Sequence, residues 1–345
     1  MQVIADNTYH SLLPPSTEMG KLQIMHLKRY WNKALLIREN KLKSEDFHNE
    51  WQLDKILLFT LGLGLEQSMI YLYQTAPVFD EFENWIIKTA GKPGPRQIER
   101  FNKLFTDAGV AQRHVPDVLT SDELCFWEEN GYIIIRNAIS IADCEKTIDT
   151  ICRFIDINRN DPSTWYKQHP ARQGIMVQLF QDPILQKNRQ SVKIRKVFEQ
   201  LWNRTDIWIT ADRVGFNPPE TGEWKFPGPG LHWDVSMEQP IPFGMQGLLY
   251  LADTEKHQGA FTLVPGFQHR IGDWINNLPP GVDPRQQNLE ALGSVPIAAN
   301  AGDFIIWLQA LPHGSSPNTS LKPRFVQYFT YKPATIDPAE YWTLQ

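Results

Sequence analysis

Leu231-His232-Trp233-Asp234-Val235-Ser236 is the stretch on which the reading of this 345-residue chain turns. In extended backbone, residues two apart point to one face. The imidazole of His232 and the carboxylate of Asp234 can then reach a single metal ion while Trp233 faces away. Working outward, the flanking sequence is built from short runs rich in β-branched and aromatic residues, at 207–214, 245–251, 259–264, 295–298, 303–308 and 324–331. Proline- and glycine-rich loops separate them, the pattern of short antiparallel strands folded into a sandwich or barrel. Two connections, 217–230 and 270–293, are long for a compact domain, and long loops are often functional.

Two further residues give the dipeptide weight. His313 lies in Leu311-Pro-His-Gly-Ser-Ser-Pro-Asn318, just beyond the apolar run Phe304-Ile-Ile-Trp-Leu308. Arg324 opens another strand, sharing a face with Val326, Tyr328 and Thr330. If that face is the barrel interior, a guanidinium is buried there and needs an anion. No acidic residue is adjacent in sequence, whereas a dicarboxylate bound by the guanidinium fork meets the need. Two histidines and one carboxylate with open positions are the ligand set of non-haem Fe(II) oxygenases.

Composition sets limits. A net charge of −5 offers no overall electrostatic basis for a nucleic-acid partner. The three cysteines, Cys125, Cys144 and Cys152, contain no Cys-x-x-Cys pair, against a disulfide framework or a cysteine-rich zinc site. The first residues show no signal pattern, and the apolar run 56–65 is far short of the ~20 residues that span a bilayer. A cytoplasmic protein without a membrane partner is expected.

Residues 1–115 read as a helical region and 116–345 as the β-rich domain. Leu27, Tyr30, Trp31, Ala34, Leu35 and Arg38 recur near a helical period. A helix over about 46–74, with Ser44 near its start, is apolar nearly all round through 56–65. Such a helix is buried by its neighbours or by a second subunit, which makes a homodimer through the N-terminal helices one expectation. Shorter helices are predicted at 78–89 and 95–108, either side of Gly91-Lys-Pro-Gly-Pro95. In the second region, Thr120 or Ser121 with Glu123 has the form of a helix cap, and 132–136 reads as a strand. An amphipathic helix is expected at 141–155, and one with a basic start (Lys187, Arg189, Lys193, Arg195, Lys196) at 187–202. That basic run reads first as a solvated face and second as a site for a phosphate-bearing substrate.

The order His232-x-Asp234, His313, Arg324 resembles the Fe(II)/2-oxoglutarate-dependent dioxygenases, and among them the phytanoyl-CoA dioxygenase family. Phe126-Trp-Glu-Glu-Asn-Gly-Tyr-Ile-Ile-Ile-Arg136 resembles the family's entry into the domain. Gly259-Ala-Phe-Thr-Leu-Val-Pro-Gly-Phe-Gln-His-Arg270 resembles its Pro-Gly hairpin, with Phe267-Gln268 where serine is usual. Gly302-Asp-Phe-Ile-Ile-Trp307 and His313-Gly-Ser-Ser-Pro-Asn318 resemble its second-histidine motif. The resemblance covers about 116–335 and leaves 1–115 without a family reading.

The resemblance implies an α+β fold: a double-stranded β-helix (jelly-roll) core with flanking helices, preceded here by the N-terminal helical region. It implies Fe(II) held by His232, Asp234 and His313, and 2-oxoglutarate held by Arg324 with help from Ser315. Tyr250 and Gln178 are expected near the cofactor by approximate position. Decarboxylation of 2-oxoglutarate to succinate and CO2 would drive O2-dependent hydroxylation of an aliphatic C–H in a small molecule, or its desaturation. Related halogenases carry glycine or alanine at the carboxylate position, so Asp234 disfavours halogenation. Arg213, Trp224, Lys225, Phe226 and Trp233 are candidates for the substrate entrance, while His257, His269 and Arg270 read as solvent, rim or structural residues. Two alternatives stay open: a non-catalytic jelly-roll binding module, and a metal-dependent enzyme that does not use 2-oxoglutarate, such as a cupin-type dioxygenase or zinc hydrolase.

Overall fold

The computed structural model describes residues 13–106 and 114–334. They form two compact units: 13–106 with 114, 204–211 and 333–334, and 115–203 with 212–332.

The first unit is helical, with helices Leu27–Arg38, Trp51–Thr60, Leu65–Thr75, Phe79–Ala90 and Pro95–Asn102. Leu27, Tyr30 and Ala34 meet Ile56, Leu57, Leu72, Phe82, Ile86 and Phe101 in one apolar core, which Trp208 of the short strand Ile207–Ile209 joins. The single helix expected over 46–74 is not found. Ser44–Glu50 is a 3-10 segment, and the two helices that follow are bent by 97°. Gly62 at φ 68 takes a left-handed conformation that L side chains resist, and extended Gly64 starts the next helix. The break lets both halves bury their apolar sides inside one unit. Ile56, Leu57 and Leu58 are fully buried there, so covering this run does not require a second subunit. No single helix among the described residues is long and apolar enough to cross a membrane.

The second unit is a jelly roll of two antiparallel sheets, the double-stranded β-helix core of an α+β fold. In the larger sheet the order is Tyr132–Ile135, Phe304–Leu308, Met245–Tyr250, Arg324–Tyr328, Val214–Asn217, Met176–Val177, Arg172–Gln173. In the smaller it is His313–Ser315, Phe261–Leu263, Val295–Ile297. Alternation along each strand sorts the side chains. Outward-facing Phe304 packs on Phe198 of helix Val192–Leu201, and Gln327 bonds Asn188 and the Leu185 carbonyl of helix Pro183–Arg189. Inward-facing Tyr250 donates its hydroxyl to the Ile297 carbonyl, and Trp307 packs on Phe261 at 4.3 Å between ring centroids. These contacts hold the smaller sheet over the larger one.

Local signals shape the flanking helices. Thr120 caps Ser121–Asn130 in a reciprocal box with Glu123. Helix Ile141–Phe154 buries Cys144, Ile148, Ile151 and Cys152. The helix expected over 187–202 is two, parted where Ser191 caps the second. Its basic residues are not one surface: Lys187 pairs with Asp143, Arg195 with Glu199, and buried Arg189 donates to the carbonyls of Phe180 and Asp212.

Candidate metal centre and its buried arginine

The stretch 231–236 is not a continuous strand. His232 makes an isolated antiparallel bridge to His313, and the chain then bends through Asp234 and Val235. The bend brings Asp234 back to both histidines: His232 Nε2 lies 3.5 Å from Oδ1, and His313 Nε2 lies 3.3 Å from Oδ2. One ligand atom from each residue falls within 4.8 Å of the others. Both Nδ1 atoms face main-chain carbonyls, that of Gly230 at 2.8 Å and that of Leu311 at 3.0 Å. A carbonyl only accepts, so each Nδ1 carries a proton there and each Nε2 is the ring atom turned toward the shared space. The two imidazoles hold the Asp234 carboxyl far below the usual carboxylate range. Reciprocally, the Asp234 carboxylate raises the pKa of His232. A cation placed among the three atoms would replace protons there, which is the chemistry of a metal ligand set.

Arg324 is fully buried. Its Nη2 donates to Ser315 Oγ at 3.0 Å, across from one sheet to the other. Its Nε and Nη1 have no hydrogen-bond partner among the described residues. A buried guanidinium with two of its three nitrogens unmatched calls for an anionic group. The three-residue cluster and the unmatched arginine together fit a divalent metal and a dicarboxylate.

The other expected residues divide. Tyr250 is buried inside the barrel, where it also accepts from the Phe261 amide; burial pushes its hydroxyl up to about 12 against the lowering effect of Arg324. Gln178 bonds Gln173 on the outermost hairpin rather than Arg324 or the triad. Trp233 is corrected from the entrance to the core: it is buried, donates to the Ala310 carbonyl and packs against Phe267 and Trp274. Arg213 pairs with Asp212 at 3.6 Å. Trp224 lies 6.1 Å from Tyr166, Lys225 is exposed, and the Phe226 amide bonds Glu220. Their loop ends at the candidate metal ligands, since Ser315 N–H bonds the Pro229 carbonyl and Gly230 holds His232.

Two features escaped the sequence reading. Gln246 donates to Asp234 Oδ2 at 2.8 Å. Its place two and four residues before Leu248 and Tyr250 on one strand face was the available signal. In the helical unit, His26, Glu50 and Asp54 form a second cluster of metal-compatible groups. There Lys33 Nζ already sits 2.7 Å from both Glu50 Oε2 and Asp54 Oδ2, and Arg29 Nη2 sits 2.7 Å from Glu50 Oε1. Those ammonium and guanidinium groups occupy the place of a cation, and this cluster is an ion-pair network.

The sequence profile of the phytanoyl-CoA dioxygenase family matches residues 127–326. A Dictyostelium discoideum protein named "Putative phytanoyl-CoA dioxygenase" is 26% identical over 269 residues, 63% of this chain and 76% of that one. Among solved structures, EctD from S. alaskensis with bound Fe aligns at a TM-score of 0.47 and 18% identity, over 65% of this chain and 80% of that one. HygX from Streptomyces hygroscopicus, with nickel and 2-oxoglutarate bound, aligns at 0.46 and 15%, over 63% and 88%.

Proposed function

The chain belongs to the phytanoyl-CoA dioxygenase family, and on that premise we propose that it is an Fe(II)/2-oxoglutarate-dependent dioxygenase hydroxylating an aliphatic C–H of a small organic molecule. The balance is substrate, 2-oxoglutarate and O2 giving hydroxylated substrate, succinate and CO2. Bound iron supplies the redox chemistry. The protein supplies the placement.

In this reading His232, Asp234 and His313 would hold the metal and leave it open to the 2-oxo acid and O2. The main-chain carbonyls of Gly230 and Leu311 hold each Nδ1–H and so turn both Nε2 atoms toward it. Arg324, steadied by Ser315, binds the far carboxylate of 2-oxoglutarate, and burial strengthens that pairing by excluding water. The observation that carries the reading is the buried, half-unmatched Arg324 in the unit that holds the triad. A zinc hydrolase would call for a nearby general base rather than a buried arginine of this kind.

The test is succinate release from iron-loaded protein incubated with 2-oxoglutarate in air. Detectable release in the wild type, coupled or uncoupled, with its loss in Arg324→Ala and in His232→Ala, is the expected result. Absence of release in the wild type, with no response to Arg324→Ala, overturns it. A panel of amino acids, compatible solutes and acyl-CoAs screened for stimulated release then identifies the substrate class.

A further inference from the structure

We propose that Gln246 is a positioning residue of the metal centre: its side-chain amide, oriented by Trp307, donates to Oδ2 of Asp234 and fixes the rotation of the carboxylate that faces the two histidines. The inference rests on the metal-centre reading above and deepens it.

The need is physical. A carboxylate can ligate through one oxygen or both. A metal that must also take the 2-oxo acid and O2 would leave the protein few positions, so each of the three residues would need to present a fixed donor atom. Asp234 is the least constrained of them. It follows a bend, and its side chain is 53% exposed, against 5% for His313. Something must restrain its rotation.

Gln246 Nε2 donates to Asp234 Oδ2 at 2.8 Å, and Trp307 Nε1 donates to Gln246 Oε1 at 3.2 Å. Gln246 and Trp307 are direct cross-strand partners, so strand register holds them together. The chemistry allows one arrangement: an indole N–H only donates and an ionised carboxylate only accepts, so the amide between them must turn its oxygen to Trp307 and its NH2 to Asp234. Trp307 is itself fixed, buried against Phe261 with its ring centroid 5.2 Å from that of His313. One indole thus packs beside one metal ligand and, through Gln246, restrains another. Groups that orient metal ligands typically change affinity 10–100-fold when removed.

The experiment titrates Co(II) alone into metal-free wild type, Gln246→Leu, Gln246→Asn and Trp307→Phe, reading affinity and the visible d–d spectrum, with thermal unfolding alongside. Gln246→Leu keeps the bulk and loses the donor, Gln246→Asn falls one methylene short, and Trp307→Phe keeps a ring on Phe261 but frees the amide to turn. We expect Co(II) affinity to fall about tenfold in Gln246→Leu, with an altered d–d spectrum. The same direction and a smaller change are expected in the other two. Gln246→Asn and Trp307→Phe carry the test if Gln246→Leu does not fold. Unchanged affinity and spectrum in the folded variants overturn the role of Gln246 while leaving the metal centre standing. A wild type that binds no Co(II) overturns both.

Discussion

His232 and His313 exchange both of their main-chain hydrogen bonds, N–H to carbonyl at 2.9 Å in one direction and 3.0 Å in the other. In an antiparallel pair this is the hydrogen-bonded kind of opposition, in which the two side chains leave the ladder on the same face. The imidazole centroids accordingly stand 4.9 Å apart. The spacing of two candidate metal ligands far apart in sequence is therefore set by backbone pairing.

Gly314→Ala tests that dependence without altering a ligand. A Cβ at Gly314 would lie 2.2 Å from the Gly230 carbonyl oxygen and 3.0 Å from the Leu231 amide nitrogen, both main-chain atoms with little room to retreat. The bridge should open, and metal affinity should fall by about tenfold or more, the scale seen when ligand support is lost. Co(II) titration of the folded variant is the check.

Arg324→Met should separate stability from function. Without an anion, the guanidinium is a buried charge with two unmatched nitrogens, and replacing it with an apolar side chain should stabilise the metal-free protein by about 1–3 kcal/mol. Adding 2-oxoglutarate at 100 times its Kd to the metal-loaded proteins should stabilise wild type by about a further 2.7 kcal/mol and leave the variant, whose triad is intact, at its metal-bound stability. Thermal unfolding of both proteins, with and without the ligands, measures it.

Trp233→Ala should act on folding rather than on substrate. The indole fills a buried site between Phe267 and Trp274 and bonds the Ala310 carbonyl. Its loss should cost about 3–5 kcal/mol, seen as a lower midpoint in denaturant. Trp233→Phe should recover most of that and leave KM for the organic substrate unchanged.

Acid should weaken the helical unit through Glu50. Burial alone would raise its pKa, but Arg29 and Lys33 overcome burial and lower it from 4.5 to about 2. A carboxyl depressed in the folded state contributes stability that is whole above its unfolded value and is lost as pH falls through the folded one. Wild type should exceed Glu50→Gln in stability above pH 4.5, and the two should converge as pH approaches about 2. Unfolding midpoints of the pair across that range provide the measurement.

Much of the centre was legible because its signals are local. His232, Asp234, His313 and Arg324 are chemically distinctive, and each lies in or beside a short apolar strand whose alternation is readable. Trp233 was misplaced because alternation says which way a residue faces but not what waits on that side. Gln246 went unseen because glutamine is an ordinary strand residue until Trp307 and Asp234 are brought to it.

The sequence by itself pointed to the candidate donor set, the antiparallel character and an anion at Arg324, since these follow from residue chemistry and short-range periodicity. The tertiary structure alone decided the bend after His232 and the Trp307–Gln246–Asp234 chain. Each depends on groups distant in sequence competing for the same buried space, and local preference carries no record of that competition.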